Sequence, residues 1–441
     1  MHYKTEKIFL KEENIMKKII ALVLAVALCL SLAACGGPQA GGQQQSGGDA
    51  SAKEEIVIGY VGPFTGALSM FTADFEWLSE QAVAAINEDG GIYIESLDKT
   101  LPVRVVIADS ESDPTTASEV AQKLVLDEGV DVLCGGWTPD TTAPVSAVAE
   151  KNGIPCLLSN SPAESWQASG NYEWSYGIMF SVVDMMEAYV DALDKLDTNK
   201  KVGFLFDSEV DGVTFSAELQ KELESRGYEV VDPGRFPMST TDYTSIITQL
   251  KDAGCDIVAG NQILPNFTTA WQQFHQLGYV PKAMIIGKAI AYGNDVEALG
   301  NDIGDGLITE IHWDRSWPYT STLLGLTCEE LAAKWEAEQG VQDTGTSLGY
   351  NLALFEVLDL ALSNCKDLEP ETIKNAIAAV DYEGIYGHLS TEGTHVFKVP
   401  LVAGQWVPSE TWDYEAVIVG DGFYEDIPTV DPYVIPGTTL K

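Results

Sequence analysis

The strongest constraint on this chain is an alternation that runs twice. From Glu55 onward, short apolar runs alternate with stretches whose apolar residues recur every three or four positions. Ile56 to Val61 reads as a buried strand, and Phe71, Phe75, Leu78, Ala82 and Ile86 then mark one face of a helix that Gly90-Gly91 stops. Val103 to Ala108 is the next strand. Asp113-Pro114 supplies an N-cap and a first-turn proline for a helix whose Ala117, Val120, Ala121, Leu124 and Val125 face inward. Val130 to Cys134, a helix over about 141–152 and Ile154 to Leu158 complete the first series. After Ser181 the pattern restarts: helix 182–197, strand Val202 to Phe206, helix 213–226, strand 228–231, helix 243–253, strand Asp256 to Ala259, helix 265–278 and strand 283–287. Two such series predict an α/β fold with two doubly wound parallel sheets. From about Gly306 the chain has a strand, helices near 327–339, 346–364 and 370–380, and a β-rich tail. Helices without partner strands dock on a lobe already built, so the chain is expected to cross between lobes more than once, which suits a hinge.

Length agrees with two lobes, because 441 residues exceed the roughly 250–300 that one core holds. Hydrophobic residues make up 45% and charged residues 21%, so the chain folds although 66 Asp and Glu face 25 Lys and Arg. The resulting net charge of −41 excludes nucleic acid as a partner, since phosphates demand a basic face.

The N-terminal stretch is different. Lys17-Lys18 precedes an uncharged run from Ile19 to Ala34, shorter than the roughly 20 residues needed to span a bilayer, and the run ends in Leu32-Ala33-Ala34-Cys35-Gly36. This pattern resembles the bacterial lipobox. It implies a lipoprotein signal peptide over 1–34, a start at Met16 and a lipid anchor on Cys35. Residues 1–34 hold five Lys and three Glu, so the chain from Cys35 onward carries −43. Gly36 to Ser51, rich in Gly and Gln, reads as a flexible tether within 35–53. The expected lobes are 54–180 with about 309–383, and about 181–308 with 384–441. Cys134, Cys156, Cys255, Cys328 and Cys365 show neither a C-x-x-C pair nor zinc-ligand spacing, which leaves Cys328 with Cys365 as a candidate disulfide and no metal site.

In open α/β sheets, ligands bind outside the carboxyl ends of strands. Gly62-Pro63-Phe64-Thr65-Gly66 comes after the first strand, Asp109-Ser110-Glu111-Ser112-Asp113-Pro114 after the second, Gly135-Gly136-Trp137-Thr138 after the third and Ser159-Asn160-Ser161-Pro162 after the fourth. Each alone is a plain turn with a capping residue. Together the first three resemble the branched-chain amino-acid-binding (Leu/Ile/Val-binding-like) family of type I periplasmic binding proteins, over about Glu55 to Gly387.

The resemblance implies two lobes joined by three hinge strands, closing on a small molecule and delivering it to the permease subunits of an ABC importer. It places Thr138, Asp140 and Thr141, then Ser159, Asn160 and Ser161, as holders of a ligand carboxylate. Phe71 stands either over the ligand or on the buried helix face, and Trp137 is either a second stacking wall or part of the lobe core. Asp211 occupies a position where the family often has an aromatic; it either pairs a ligand amine or is a turn residue before Gly212. The amino-acid binders place an acid for the α-ammonium in the turn that here reads Ile286-Gly287-Lys288-Ala289. Lys288 or Ala289 in its place removes a pairing worth about 2–5 kcal/mol when buried, which argues against a standard zwitterionic amino acid. Lys288 is then a partner for an anionic ligand or a solvated turn residue. Asn261, Gln262 and Tyr292 lie on neighbouring loops and offer polar contacts.

No G-x-S-x-G, H-E-x-x-H or strand-linked G-x-G-x-x-G occurs, and Gly287-Lys288 lacks the glycine spacing and hydroxyl of a P-loop. His312 beside Trp313 is the histidine of most interest. The sequence is thus expected to encode a lipid-anchored binder of an amino-acid-like, amide or carboxylate compound, without cofactor. A ligand-presenting sensory module and an extracytoplasmic hydrolase stand as alternatives.

Overall fold

The computed structural model describes residues 53–343 and 345–439, so the leader, Cys35 and most of the tether lie outside the described residues. In chain order the strands are β1 (Ile56–Gly62), β2 (Ile92–Ile94), β3 (Lys99–Leu101), β4 (Val103–Asp109), β5 (Val132–Gly136), β6 (Cys156–Pro162), β7 (Ser175–Phe180), β8 (Lys201–Phe206) and β9 (Glu229–Val231). The later strands are β10 (Ile257–Asn261), β11 (Ala283–Gly287), β12 (Ile308–Ile311), β13 (Asp381–Gly384), β14 (Gly387–Ser390), β15 (Val396–Lys398), β16 (Val402–Pro408) and β17 (Tyr414–Gly420). One sheet has the order β4-β1-β5-β6-β7-β15, and its neighbours are all parallel. The other has the order β9-β8-β10-β11-β12-β16-β17, parallel as far as β12 and antiparallel thereafter.

Every residue of β1 and of β6 is buried. Helices cover both sheet faces, so these strands are apolar throughout rather than alternating. Helix Phe75–Ile86 buries Phe75, Leu78, Ala82 and Ile86 at the expected spacing. Asp113 caps its helix by accepting from the Thr116 N–H at 2.8 Å. Helix Thr346–Ser363 runs almost wholly buried through the first lobe. Its Glu356 accepts from Thr322 N–H, Tyr382 O–H and Ile385 N–H at 2.9–3.1 Å, the pairing a buried carboxylate requires.

Among the described residues the chain crosses between lobes three times: between β7 and helix Val182–Asp194, between β12 and helix Cys328–Gln339, and between β15 and β16. Two expected boundaries are corrected. Residues 308–311 form β12 in the second sheet, so the crossing falls after Ile311. β15 pairs with β7 through Val396, Phe397 and Lys398, so 384–398 stays with the first lobe and only the segment beyond Lys398 returns to the second. Sequence reasoning misses β7, whose Gly177 interrupts the apolar run. Phe71 also moves: it lies in a separate turn, Ser69–Thr72, before the helix rather than on it. Cys328 and Cys365 are both buried free thiols, with Sγ atoms directed to the carbonyls of Ile385 and Ala361.

Candidate functional site

The carboxyl ends of the two sheets meet across a cleft. The loop after β1 brings Phe71, the turn after β5 brings Trp137 and Thr138, and the end of β6 brings Asn160. From the second lobe come Asp211 after β8, Asn261 at the end of β10 and Lys288 after β11. The space they line is about 60 Å³, room for a few water molecules. A larger cavity of about 380 Å³, also between the lobes, adjoins it past Ala291 and Thr346.

The first-lobe wall is aromatic. Phe71 stacks on Trp137 with ring centroids 5.3 Å apart and planes 8° apart, and meets Tyr292 edge-on at 6.1 Å. Trp137 lines the cleft and is also part of the core, donating from Nε1 to Tyr60 Oη at 3.2 Å, so both readings of this residue hold together. The turn that aims it is held by hydroxyls: Thr141 Oγ1 donates to Gly136 O and Trp137 O, and Thr142 Oγ1 to Thr138 O. Thr141 is thereby committed to its own loop and lies outside the cleft lining. Asp140 is exposed on the first turn of helix Pro139–Asn152. Ser159 and Ser161 are fully buried on β6 behind Asn160. Ala289 also lies outside the lining; its N–H closes a tight turn onto Gly287 O at 2.8 Å, and its methyl joins the second-lobe core.

Trp137, Thr138, Asn160 and Lys288 all have left-handed φ, at 71°, 68°, 49° and 69°. Such backbone costs on the order of 1–3 kcal/mol per non-glycine residue, and here it clusters where the two lobes face each other.

The second-lobe wall is charged but self-compensated. Lys288 Nζ lies 2.8 Å from Asp211 Oδ2, and Asp211 Oδ1 accepts from the Gly212 N–H at 2.9 Å. Burial opposes ionisation of both groups, yet their mutual attraction outweighs it and holds Asp211 below, and Lys288 above, its ordinary pKa. Asp207 is pushed up to about 6 by burial and then by the neighbouring Asp211.

Sequence reasoning misses five lining residues: Phe180, Phe215, Ala291, Glu310 and Thr346. Glu310 sits inside the apolar strand β12, and an acid in such a run is the available signal. Its Oε1 accepts from the Lys288 N–H at 2.7 Å, and its Oε2 accepts from the hydroxyls of Tyr189 and Thr309. Burial pushes its pKa up. His312 also lines the cleft, edge-on to Phe180 at 4.8 Å, and burial drives its pKa down to about 3, so it is neutral. Gln262 is buried but lies outside the lining. Among the described residues no cluster of three or more His, Cys, Asp or Glu has a metal-holding arrangement, and no helix is long and apolar enough to cross a membrane.

Residues 55–411 match the family model described as periplasmic binding protein. The chain belongs to that family. Among curated relatives, this periplasmic binding protein is similar to Leu/Ile/Val-binding protein homolog 8 of Brucella abortus, 24% identical over 341 residues, covering 75% of this chain and 82% of the relative. Homolog 7 of Brucella suis is 24% identical over 373 residues, covering 81% and 90%. Among solved structures, the leucine binding protein LivK of Thermotoga maritima superposes with a TM-score of 0.69 at 18% identity, covering 82% of this chain and 98% of the other. LivJ of Streptococcus pneumoniae, in complex with isoleucine, gives 0.69 at 18% identity, covering 83% and 100%. A solute binding protein of R. palustris in complex with 4-hydroxybenzoate gives 0.67 at 18% identity, covering 84% and 98%. These neighbours share the type I fold. Its relatives bind substrates rather than transform them, and this periplasmic binding protein is likewise not an enzyme.

The lobes of this periplasmic binding protein touch beyond the cleft as well. Gln342 Nε2 donates to Tyr414 O at 2.9 Å, Trp412 Nε1 to Glu336 Oε1 at 3.2 Å, and Tyr319 Oη to Asp426 Oδ2 at 2.8 Å.

Proposed function

We propose that this protein is a lipid-anchored extracytoplasmic solute-binding protein that captures an amino acid or a related small polar or carboxylate compound between its lobes and delivers it to the permease subunits of an ABC importer. The observation that carries this reading is a pair of unmet polar groups, one from each lobe, that line the same cleft. Thr138 Oγ1 from the first lobe and Asn261 Oδ1 from the second have no hydrogen-bond partner. Each such group costs about 1–3 kcal/mol when buried unmet, and a bound solute removes that cost. In this reading Phe71 and Trp137 form the apolar wall, Thr138 and Asn160 hold the ligand from the first lobe, and Asp211, Asn261 and Lys288 do so from the second. Asp140, Thr141, Ser159, Ser161 and Ala289 shape the loops around them. The Leu-Ala-Ala-Cys-Gly sequence ending the leader supports acylation at Cys35, with residues 36–51 as tether.

The test is a thermal-shift screen over amino acids, amides, small carboxylates and aromatic acids, a range that spans the isoleucine and 4-hydroxybenzoate of the structural neighbours. A set of chemically related compounds should raise Tm saturably with one site per chain, and a ligand at 100 times its Kd should stabilise by about 2.7 kcal/mol. A screen in which no small solute raises Tm would overturn the proposal.

A further inference from the structure

The second-lobe wall restricts which end a ligand can present to it. The two carboxylates that line this wall, Asp211 and Glu310, already accept at every oxygen, so an ammonium there would have to share lone pairs with internal donors. Asp211 gives Oδ2 to Lys288 and Oδ1 to the Gly212 N–H. Glu310 gives Oε1 to the Lys288 N–H and Oε2 to Tyr189 and Thr309. A second carboxylate fares no better, because Lys288, the cation of this wall, is already matched by Asp211 and sits beside Asp207. His312 is neutral and adds no positive charge.

The group left unmet is the Asn261 side chain. It is 1% exposed and lines the cleft; its amide N–H side helps hold the neighbouring Asp211 ionised, while its Oδ1 has no hydrogen-bond partner. Gly287 preserves the space it occupies, since a Cβ there would lie 2.7 Å from Asn261 Oδ1 and 3.0 Å from Glu310 Oε2. A primary amide presents one acceptor and two donors, so it is satisfied by a group that both donates and accepts. Beside it the Lys288 ammonium keeps further N–H groups for a neutral oxygen.

Resting on the solute-binding reading above, we propose that the ligand of this cleft carries an uncharged donor-and-acceptor group, a carboxamide or a hydroxyl, at the end that meets Asn261 and the Asp211–Lys288 pair. The carboxamide oxygen or hydroxyl oxygen accepts from Asn261 Nδ2 or Lys288 Nζ, and its N–H or O–H donates to Asn261 Oδ1. Behind that group the body is apolar, set between Phe71 and Phe215. A site built to hydrogen-bond such a group rejects the analogue lacking it because its own buried amide is then left unmet.

The experiment is calorimetric titration of the full mature protein with two matched sets. The aromatic set is benzoate, 4-hydroxybenzoate, 4-carbamoylbenzoate, 4-(aminomethyl)benzoate and terephthalate. The aliphatic set is butyrate, 4-hydroxybutyrate, succinamate, 4-aminobutyrate and succinate. In at least one set the hydroxyl or carboxamide member should bind roughly 100-fold tighter than the unsubstituted, cationic and dianionic members. Asn261→Leu should collapse that ranking, whereas Thr138→Val, on the opposite wall, should weaken all members alike and keep it. A cationic or dianionic member at the top, or an unchanged ranking in Asn261→Leu, overturns the proposal. Micromolar binding of leucine or valine with no binding by either set would overturn it too, while leaving the solute-binding reading standing. Failure of every compound in the wider screen would remove both.

Discussion

Replacing Lys288 by Met tests whether the Asp211–Lys288 pair is as enclosed as its geometry implies. The two side chains are 20% and 11% exposed and 2.8 Å apart. Without the ammonium, Asp211 keeps the Gly212 N–H as its close donor and still faces Asp207. Removing one member of a buried pair costs about 3–5 kcal/mol, and the part exposure of Lys288 places this case near about 3 kcal/mol. For a lobe of about 200 residues that is a fall in Tm of about 6–12 °C at pH 8. The sign with pH comes from linkage. In the wild type the folded-state pKa of Asp211 is depressed, so its contribution is present above the ordinary carboxylate pKa and lost as pH falls through the depressed value. In the variant the folded-state pKa rises above the ordinary value, so the penalty is full at pH 8 and fades as pH falls toward about 4.5. Tm measured by tryptophan fluorescence at both pH values should show the gap narrowing in acid, and Asp211→Asn combined with Lys288→Met should recover most of the loss. A variant equal to wild type at pH 8, or a gap that ignores pH, would refute the burial argument.

Phe71→Ala should destabilise by about 3 kcal/mol and red-shift the tryptophan emission as water reaches the face of Trp137; unchanged emission would sink the stacking assignment. Gly260→Ala puts a Cβ 2.3 Å from the Leu205 carbonyl oxygen inside the second sheet, where neither backbone can yield, so a loss of about 3 kcal/mol or more, or insoluble protein, is expected, and a wild-type Tm would contradict the register of β8 and β10. Asp295 accepts from the Tyr292 N–H, and burial pushes its pKa up to about 7. Its raised folded-state pKa means stability present below about pH 4 is lost as pH rises toward 7, so Asp295→Asn should gain Tm relative to wild type between pH 5 and pH 8; a pH-independent difference would disprove this. Cys35→Ser should abolish incorporation of labelled fatty acid and release the protein from membranes, and retained labelling would rule out the anchor.

Much of the fold is legible in the sequence because parallel strands buried on both faces leave unbroken apolar runs. β1, β4, β5, β8, β10 and β11 all surface there within a residue or two of their observed limits. β6 shows where such runs mislead: its last four residues, Ser159-Asn160-Ser161-Pro162, have turn chemistry, and pairing with β7 rather than local preference extends the strand. The candidate site is half legible. Loops after strands flag Trp137, Thr138 and Asn160 by position alone. The pairing of Lys288 with Asp211, 77 residues apart, depends on β8 and β11 flanking β10, which no local pattern encodes. Sequence alone offers Lys288 as a partner for an anion or a solvated turn residue; the structure gives it an internal counter-ion instead.

The three crossings have a consequence for how the molecule is made. A chain that emerges N-terminus first has presented β1, β4, β5, β6 and β7 of the first sheet long before helices Thr346–Ser363 and Pro370–Ala378 exist to cover it, and β15 closes that sheet only at Lys398. Neither lobe can therefore be completed on its own during synthesis, or cut out as a continuous fragment. Both lobes receive their last sheet strands only from the segment beyond β14, and the first lobe its last helices only after β12.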